Sequence, residues 1–242
     1  MFRVVCIVDE GIERNGNDDR AVVCRAVVCD GFYEEETKTV LAAVCDGVGG
    51  EAFGGKAAEI AVTHFSLLLD LNVTEEIIRS AINEVNTLIV NAQKEDKAYA
   101  RMASTIAGIY LNGDDYIAFN VGDSKVFRYR PPYIAQLSTD HSLVEDLKEL
   151  GLDAKPGQEH VITRYLGGQY STPEIVDGKG KSLDCDVYLV CSDGISDVLS
   201  EIDLEELFSQ PIPDGELCRK LVDMAIFKGS TDNLSAIIIR RI

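Results

Sequence analysis

Short apolar segments that each adjoin an aspartate constrain the fold of this chain more than any other feature. Asp46 follows LAAVC, Asp193 follows VYLVCS, Asp123 follows FNVG, and Asp232 stands just before a last apolar run. Apolar runs of this length, rich in valine and bounded by turn residues, are typical of buried strands. An acid at the end of a rigid strand projects from that edge, so we expect the four carboxylates to share one pocket. Carboxylates gathered in this way usually hold a hard metal ion.

The length and composition favour one globular domain. The 242 residues are 46% apolar and contain no internal repeat or low-complexity linker, so we predict a single domain spanning residues 1–242. The formal net charge of −18, from 41 acidic against 23 basic residues, argues against nucleic acid or an anionic membrane as the main partner. Simple solubility accounts for most of these acids.

The cysteines and histidines bear on the compartment and the metal. Seven cysteines, mostly set in apolar segments, predict buried thiols in a reducing compartment, the cytoplasm. The sequence has no CxxC pair and three histidines, which argues against a zinc site. Its first residues lack a signal-peptide pattern, and no stretch reaches the ~20 apolar residues that span a bilayer, so we expect no membrane partner.

The spacing of apolar residues predicts blocks of strands and helices. Strands are predicted at 2–8, 20–29 and 39–45, followed by two amphipathic helices whose apolar residues recur over 57–69 and 77–89. Further strands are predicted at 104–111, 116–121, 125–130 and 133–137, and then strand 187–191, helix 216–227 and strand 234–240. This order predicts an α+β fold with two stacked antiparallel β-sheets, a β-sandwich, flanked by α-helices on both sides.

Three segments have weaker patterns. The glutamates at 34–36 form a charge run that predicts a solvated hairpin tip. Residues 160–165 look strand-like, whereas residues 166–184 have no clear periodicity. We predict that residues 166–184 form a mobile flap.

The local sequence around the acids suits an oxygen-rich metal centre. Glycine lets the backbone approach a ligand, so Asp46 can bridge two ions while the Gly47 carbonyl supplies another oxygen. Asp-Gly alone is a common turn, but it recurs at Asp193-Gly194, and Asp232 precedes the last strand. Carboxylates, a carbonyl and water favour Mg²⁺ or Mn²⁺ over zinc. Two such ions about 3.5 to 4 Å apart can activate a bridging water for phosphoryl transfer without a protein nucleophile.

A phosphate substrate also needs a cationic contact, and Arg14 in the segment GIERNGNDD is the best candidate. A guanidinium binds two phosphate oxygens at once, which lysine cannot do. A lone arginine in a polar loop is usually a solvated charge. Here Asn17, Asp18 and Asp19 follow in the same loop and can hydrogen-bond metal-bound water, which favours the functional interpretation.

Taken together, these motifs resemble the metal-dependent serine/threonine protein phosphatases of the type 2C family, and its bacterial members most. The shared motifs occur in family order over nearly the whole chain: R-x-x-N-x-D (14–19), D-G-x-G-G (46–50), S-T (104–105), G-D-S (122–124), D-H-S-L (140–143), I-T-R-x-L-G (162–167), C-S-D-G (191–194) and D-N (232–233).

The resemblance implies a β-sandwich with a binuclear Mg²⁺ or Mn²⁺ centre at one end. Asp46 is similar to the bridging ligand, Gly47 to the carbonyl ligand, and Asp193 and Asp232 to the other direct ligands. Asp123 matches the acid that helps to hold a third, weaker ion in bacterial relatives. The catalytic residues that the resemblance implies are Arg14, which matches the phosphate-binding arginine, and Asp18 and Asp19, which match acids that contact metal-bound water.

The chain also departs from the family pattern. Val48 occupies the position of a histidine that is proposed as general acid in eukaryotic relatives, so protonation of the leaving group must come from metal-bound water or elsewhere. Asp18 replaces a more usual glutamate and is one methylene shorter. Lys125 stands where arginine is common, a minor change.

The leading hypothesis is a metal-dependent phosphatase for phosphoserine and phosphothreonine, active as a monomer on phosphoproteins that include a bacterial Ser/Thr kinase. An alternative is an inactive, phosphoprotein-binding member of the same fold, although Asp46, Asp193 and Asp232 are all retained. A calcium-binding or purely structural sandwich is a third possibility. Calcium would need a tight ligand loop such as D-x-D-x-D-G, which the sequence lacks.

Overall fold

Two six-stranded antiparallel sheets form the centre of the protein. The computed structural model describes residues 1–48, 53–70, 72–158 and 160–242; Gly49 and Gly50 of the D-G-x-G-G motif lie outside them. The strands are β1 (Phe2–Asp9), β2 (Arg20–Val23), β3 (Ala26–Val28), β4 (Gly31–Thr37), β5 (Thr39–Cys45), β6 (Gly47–Val48), β7 (Ala103–Ser104), β8 (Ile106–Asn112), β9 (Asp115–Val121), β10 (Lys125–Arg130), β11 (Tyr133–Gln136), β12 (Glu174–Asp177), β13 (Val187–Cys191) and β14 (Leu234–Arg241).

The strands of each sheet are joined by hairpins and by longer connections. The first sheet has the order β11-β10-β13-β14-β1-β4 and the second the order β12-β9-β8-β5-β2-β3, while β6 and β7 form a separate two-stranded ribbon. Short turns connect β8 to β9 and β10 to β11, and both pairs are antiparallel. The first and last long strands, β1 and β14, pair over their whole length.

Alternation along the strands produces the layers. In β5, Val40, Ala42 and Val44 belong to the apolar cluster between the sheets, whereas Leu41 and Ala43 belong to the cluster under the helices. Side chains of a strand point alternately to its two faces, so a strand buried on both faces is apolar throughout. The valine- and alanine-rich runs of the sequence are such doubly covered strands.

Helices cover the outer face of each sheet. The helices are α1 (Gly54–Phe65), α2 (Glu75–Glu95), α3 (Leu143–Glu149), α4 (Asp193–Ser196), α5 (Glu201–Phe208) and α6 (Asp214–Phe227). Residues of α1 and α2 pack on the second sheet and those of α5 and α6 on the first. The Thr74 hydroxyl caps α2 by accepting a hydrogen bond from Ile77 N. The predicted α+β sandwich with flanking helices is confirmed.

The structure differs from four local predictions. The segment 20–29, predicted as one strand, is a hairpin of β2 and β3. The glutamates at 34–36 lie within strand β4, which forms the edge of the first sheet beside β1; an edge strand needs little apolar burial, and Arg3 Nη2 lies 2.8 Å from Glu36 Oε1. Residues 160–165 form a single β-bridge, Ile162 to Ser142, and no described strand. The predicted flap contains β12, another edge strand.

Among the residues that the structure describes, no helix is both long and apolar enough to cross a membrane.

Candidate metal and phosphate site

The aspartates that the sequence singled out meet at one end of the sandwich. Asp46 follows β5 of the second sheet, whereas Asp193 begins α4 just beyond β13 of the first. They border a cavity of about 540 Å³. The other predicted residues that line it are Arg14, Asp18, Gly47, Asp123 and Asp232. Residues far apart in sequence therefore form one site because the strands that carry them end at the same edge.

Asp46 is held by the buried Thr105 of the S-T motif, for which no role was predicted. Thr105 Oγ1 accepts a hydrogen bond from Asp46 N at 3.1 Å, and Thr105 N donates to Asp46 O at 2.8 Å. The Thr105 hydroxyl also lies 2.7 Å from Ser124 Oγ. These reciprocal bonds fix the backbone of Asp46, so its carboxylate enters the cavity from a rigid position.

Asp19 lies behind the cavity rather than in its lining. It is almost fully buried, and its Oδ2 accepts a 2.8 Å hydrogen bond from Ser192 Oγ. Ser192 Oγ in turn accepts a hydrogen bond from Ser235 N at 3.0 Å. Ser192 therefore orients an acid and links the end of β13 to β14, which is a structural role.

Asn233 attaches the arginine loop to the site. Its Nδ2 donates to Glu10 O at 2.8 Å and to Gly16 O at 3.1 Å, and its Oδ1 accepts from Asp18 N at 2.9 Å. These bonds hold the segment on both sides of Arg14 against the residue that precedes β14. The D-N motif thus joins a predicted metal ligand to the loop that carries the predicted phosphate contact.

Two predicted roles meet competing contacts. Arg14 Nη2 donates to Asp232 Oδ2 at 2.6 Å, and Asp232 Oδ1 accepts from Asn233 N at 2.8 Å. Both oxygens of this predicted ligand are therefore engaged by protein donors. Asp18 lines the cavity, but its Oδ1 accepts from Gly55 N in the first turn of α1 at 2.9 Å, which leaves Oδ2 for contact with water.

The surroundings of the carboxylates at the cavity favour their neutral, protonated forms. Desolvation, and then repulsion from Asp193 and the neighbouring acids, raises the pKa of Asp46 well above its ordinary value. Desolvation followed by repulsion from Asp123 does the same to the pKa of Asp193. Burial raises the pKa of Asp19 and of Asp123 to about 6. A cation placed among these groups would reverse the effect, because an opposite charge stabilises ionised carboxylates.

The donor atoms fit a hard metal ion. Asp19 Oδ1, Asp123 Oδ1 and Asp193 Oδ1 are buried, and none has a hydrogen-bond partner among the described residues. Buried carboxylate oxygens without donors are costly unless a cation is near. In the same described part of the chain, no three Asp, Glu, His or Cys side chains form a ready-made ligand set. An ion held here would require these acids to adjust, and at Asp232 it would compete with the protein donors.

The chain is similar to known protein phosphatases. A sequence model of the family described as protein phosphatase 2C matches residues 26–212. The chain is 27% identical over 247 residues to the serine/threonine phosphatase stp of Listeria innocua, covering 96% of this chain and 93% of the relative. It is 26% identical over 257 residues to the protein phosphatase PhpP of Streptococcus pneumoniae, covering 98% and 97%.

Solved structures show the same fold. The serine/threonine phosphatase of S. agalactiae superposes with a TM-score of 0.88 at 24% identity and full coverage of both chains. The catalytic domain of the phosphatase PstP, solved in complex with 2 manganese ions, gives a TM-score of 0.81 at 24% identity, covering 99% of each chain.

A β-sandwich with carboxylates and an arginine gathered at one end defines a metal-dependent phosphatase. The family match extends over most of the sequence, and the chain belongs to the protein phosphatase 2C family. Enzymes of this family use Mg²⁺ or Mn²⁺ to hydrolyse phosphoproteins, and the donor set described above suits those ions.

Proposed function

We propose that this protein hydrolyses phosphoserine and phosphothreonine side chains of other proteins with two ions held by Asp46, the Gly47 carbonyl, Asp193 and Asp232. One observation carries the proposal: Arg14 shares a single cavity with these residues. An arginine beside a carboxylate metal centre supplies both parts of a phosphate site, a bidentate cation and charge neutralisation. The phosphatases of Listeria innocua and S. agalactiae named above are serine/threonine phosphatases, which supports the choice of side chain.

The protein's own residues have separable tasks in this proposal. Bound metal ions supply an activated water and neutralise phosphate charge. Arg14 binds phosphate oxygens, and its Nη2 is shared with Asp232. Asp18 and Asp19 orient water near the ions, and Asp123 contributes to a third, weaker site. Thr105 and Ser192 keep Asp46 and Asp19 in place.

The test uses the purified protein with Mn²⁺ and a phosphothreonine peptide. We expect phosphate release that requires the metal, stops on chelation and is lost in Asp46→Asn. Asp223→Asn is the matched control, because Asp223 is an exposed aspartate on α6; this variant should retain wild-type turnover. If wild type with Mn²⁺ releases no phosphate while still binding phosphopeptide, the phosphoprotein-binding alternative replaces this proposal.

Four finer predictions accompany the proposed activity. Residues 1–242 form one catalytic domain, which the continuous strand pairing of β1 with β14 supports. We also predict a monomer in the cytoplasm whose substrates include a bacterial Ser/Thr kinase. Size-exclusion chromatography with light scattering checks the monomer, and dephosphorylation of an autophosphorylated kinase domain checks the substrate.

A further inference from the structure

The leaving oxygen of a phosphoserine or phosphothreonine needs a proton donor, and Val48, which follows the predicted ligand Gly47, cannot be that donor. Val48 pairs with Ala103 in the β6–β7 ribbon. It also borders the cavity that Asp46 and Asp193 line, which we call the metal cavity. Its side chain has no proton to give. A serine or threonine alkoxide is a poor leaving group, and a positioned acid accelerates its departure.

His160 lies where that acid is needed. It borders the cavity that contains Asp46 and Arg14, and it also borders an adjoining cavity of about 590 Å³ that shares Val48 and Ile162 with the first. A phosphate bound at Arg14 leaves the rest of the phosphoprotein to occupy adjoining space. The bond that breaks then lies at the boundary between the two cavities, and His160 stands on that boundary.

The orientation of the imidazole suits proton donation. His160 Nδ1 lies 3.2 Å from Asp197 Oδ2. Asp197 is the residue that caps the C-terminal end of α4. A carboxylate on one ring nitrogen fixes the ring and leaves the other, Nε2, to face a substrate. The backbone beside it is anchored, since Leu143 N donates to Val161 O and Thr163 N donates to His141 O, both at 2.8 Å.

The other two histidines are unsuited to this task. His141 is buried, its Nδ1 accepts from Gly122 N at 3.2 Å, and burial next to Arg164 lowers its pKa to about 4, so it is neutral near pH 7. His64 belongs to α1 on the outer helical layer, where its Nε2 lies 3.4 Å from Glu84 Oε2. Among the described residues lining the metal cavity, His160 is the single imidazole.

We propose that His160 is the general acid of this phosphatase, positioned by Asp197; the inference rests on the proposed function. As a water oxygen bonds to phosphorus and releases one proton to solvent, the bond between phosphorus and the seryl or threonyl oxygen breaks. The electron pair of that bond goes to the leaving oxygen, which takes the proton from His160 Nε2. The neutral imidazole regains a proton from solvent, so phosphate and an intact hydroxyl are the products.

The experiment compares two substrates in the Mn²⁺-loaded enzyme. A phosphothreonine peptide needs leaving-group protonation, whereas p-nitrophenyl phosphate releases a phenolate that is stable without it. His160→Gln should lower kcat for the peptide by about 100-fold or more and leave kcat for p-nitrophenyl phosphate unchanged. His64→Gln, which removes the other histidine–carboxylate pair on the surface, should change neither.

Each other outcome has a distinct meaning. Equal loss of kcat on both substrates would assign His160 to phosphate or metal positioning and overturn the proposal, as would no loss on either. A peptide-specific rise in KM with unchanged kcat would make His160 a binding residue and overturn it too. If wild type turns over neither substrate with Mn²⁺, the proposed phosphatase function itself fails, a result that is visible before any variant is measured.

Discussion

Arg14 Nη2 donates a 2.6 Å hydrogen bond to Asp232 Oδ2, across 218 positions of sequence. The contact joins the predicted phosphate cation directly to a predicted metal ligand. Both side chains are partly exposed, so the pair contributes about 1 kcal/mol at most to stability. It has a larger significance for function, because in the proposed reaction phosphate would compete with Asp232 for Arg14 and metal would compete with Arg14 for Asp232.

Removal of this arginine should separate substrate binding from metal binding. Arg14→Ala should lower kcat/KM for phosphopeptide by about 10- to 100-fold, the effect of a lost charge-assisted contact. The same change frees Asp232, so Mn²⁺ should bind as tightly or up to about tenfold more tightly. Calorimetric titration with Mn²⁺ and steady-state kinetics measure the two effects. Weaker Mn²⁺ binding in Arg14→Ala would contradict this account.

The pH dependence of metal binding follows from the raised pKa values. Asp19 and Asp123 have pKa values of about 6 in the folded protein, above the ordinary carboxyl value near 3.9. Without metal, their contribution to stability is fully present below that ordinary value and is lost as pH rises through about 6. Metal binding requires the ionised carboxylates. The stabilisation of the fold by bound metal therefore increases as pH rises.

Thermal unfolding with and without Mn²⁺ measures this effect at two pH values. The rise in Tm on adding Mn²⁺ should be larger at about pH 7.5 than at about pH 5, because protons compete with the ion at the lower pH. The difference in Tm with and without Mn²⁺ at one pH cancels the contribution of groups that the metal does not contact, such as His141. An equal or larger rise at about pH 5 would show that these carboxylates do not hold the ion.

Thr105 should matter for stability as well as for turnover. Thr105→Val keeps the side-chain shape but removes the acceptor for Asp46 N and the partner of Ser124 Oγ. Leaving a buried donor unsatisfied should lower the free energy of unfolding by about 1 to 3 kcal/mol.

Thr87→Val supplies the control for this change, because Thr87 is exposed on α2 and bonds within its own helix. The control should change stability by about 0.5 kcal/mol or less. Urea denaturation of both variants provides the comparison. Equal free energies of unfolding would show that Thr105 does not support Asp46.

Gly194 should tolerate no side chain. A Cβ atom at Gly194 would collide with the carbonyl oxygen of Asn233, next to Asp232. Gly194→Ala should therefore separate α4 from the residues before β14, at a cost of about 1 to 3 kcal/mol in stability, and weaken Mn²⁺ binding.

Gly215→Ala is the matched control. There a Cβ would lie 3.2 Å from the exposed ring of Phe32, which can move, and alanine favours the helix by less than about 1 kcal/mol. Chemical denaturation and Mn²⁺ titration of the two variants decide the point. If Gly194→Ala binds Mn²⁺ like wild type, close packing at this glycine does not shape the site.

The sequence predicts most of the architecture because burial imposes periodicity. Strands β5 and β13 are buried on both faces and helices on one, and both patterns are visible in the residues. Edge strands leave a weaker pattern: β4 and β12 pair along one side and bury little, so their glutamates and irregular composition predicted loops. The same limit explains why residues 166–184 were predicted to be a flap throughout.

Residues whose side chains suit metal or phosphate binding could be proposed from the sequence. Residues that only support another side chain could not. Asp46, Asp193 and Arg14 have chemistry that points to metal and phosphate. Thr105 acts through a backbone contact made 59 positions away. His160 and Asp197 form their pair only because the loop between α3 and β12 returns to the end of α4, and no local pattern marks such a partner.

The acids of the site come from both sheets, Asp46 from the second and Asp193 from the first. The small residues between the sheets include Ala42, Ala107 and Ala118. They determine how closely the sheets pack and therefore the distance between these two acids. Enlarging one of them would change the selectivity between Mg²⁺ and the slightly larger Mn²⁺ from the interior of the protein. Through Asp46 and Asp193, the stacking of the two sheets would thus set the size of ion that the site accepts.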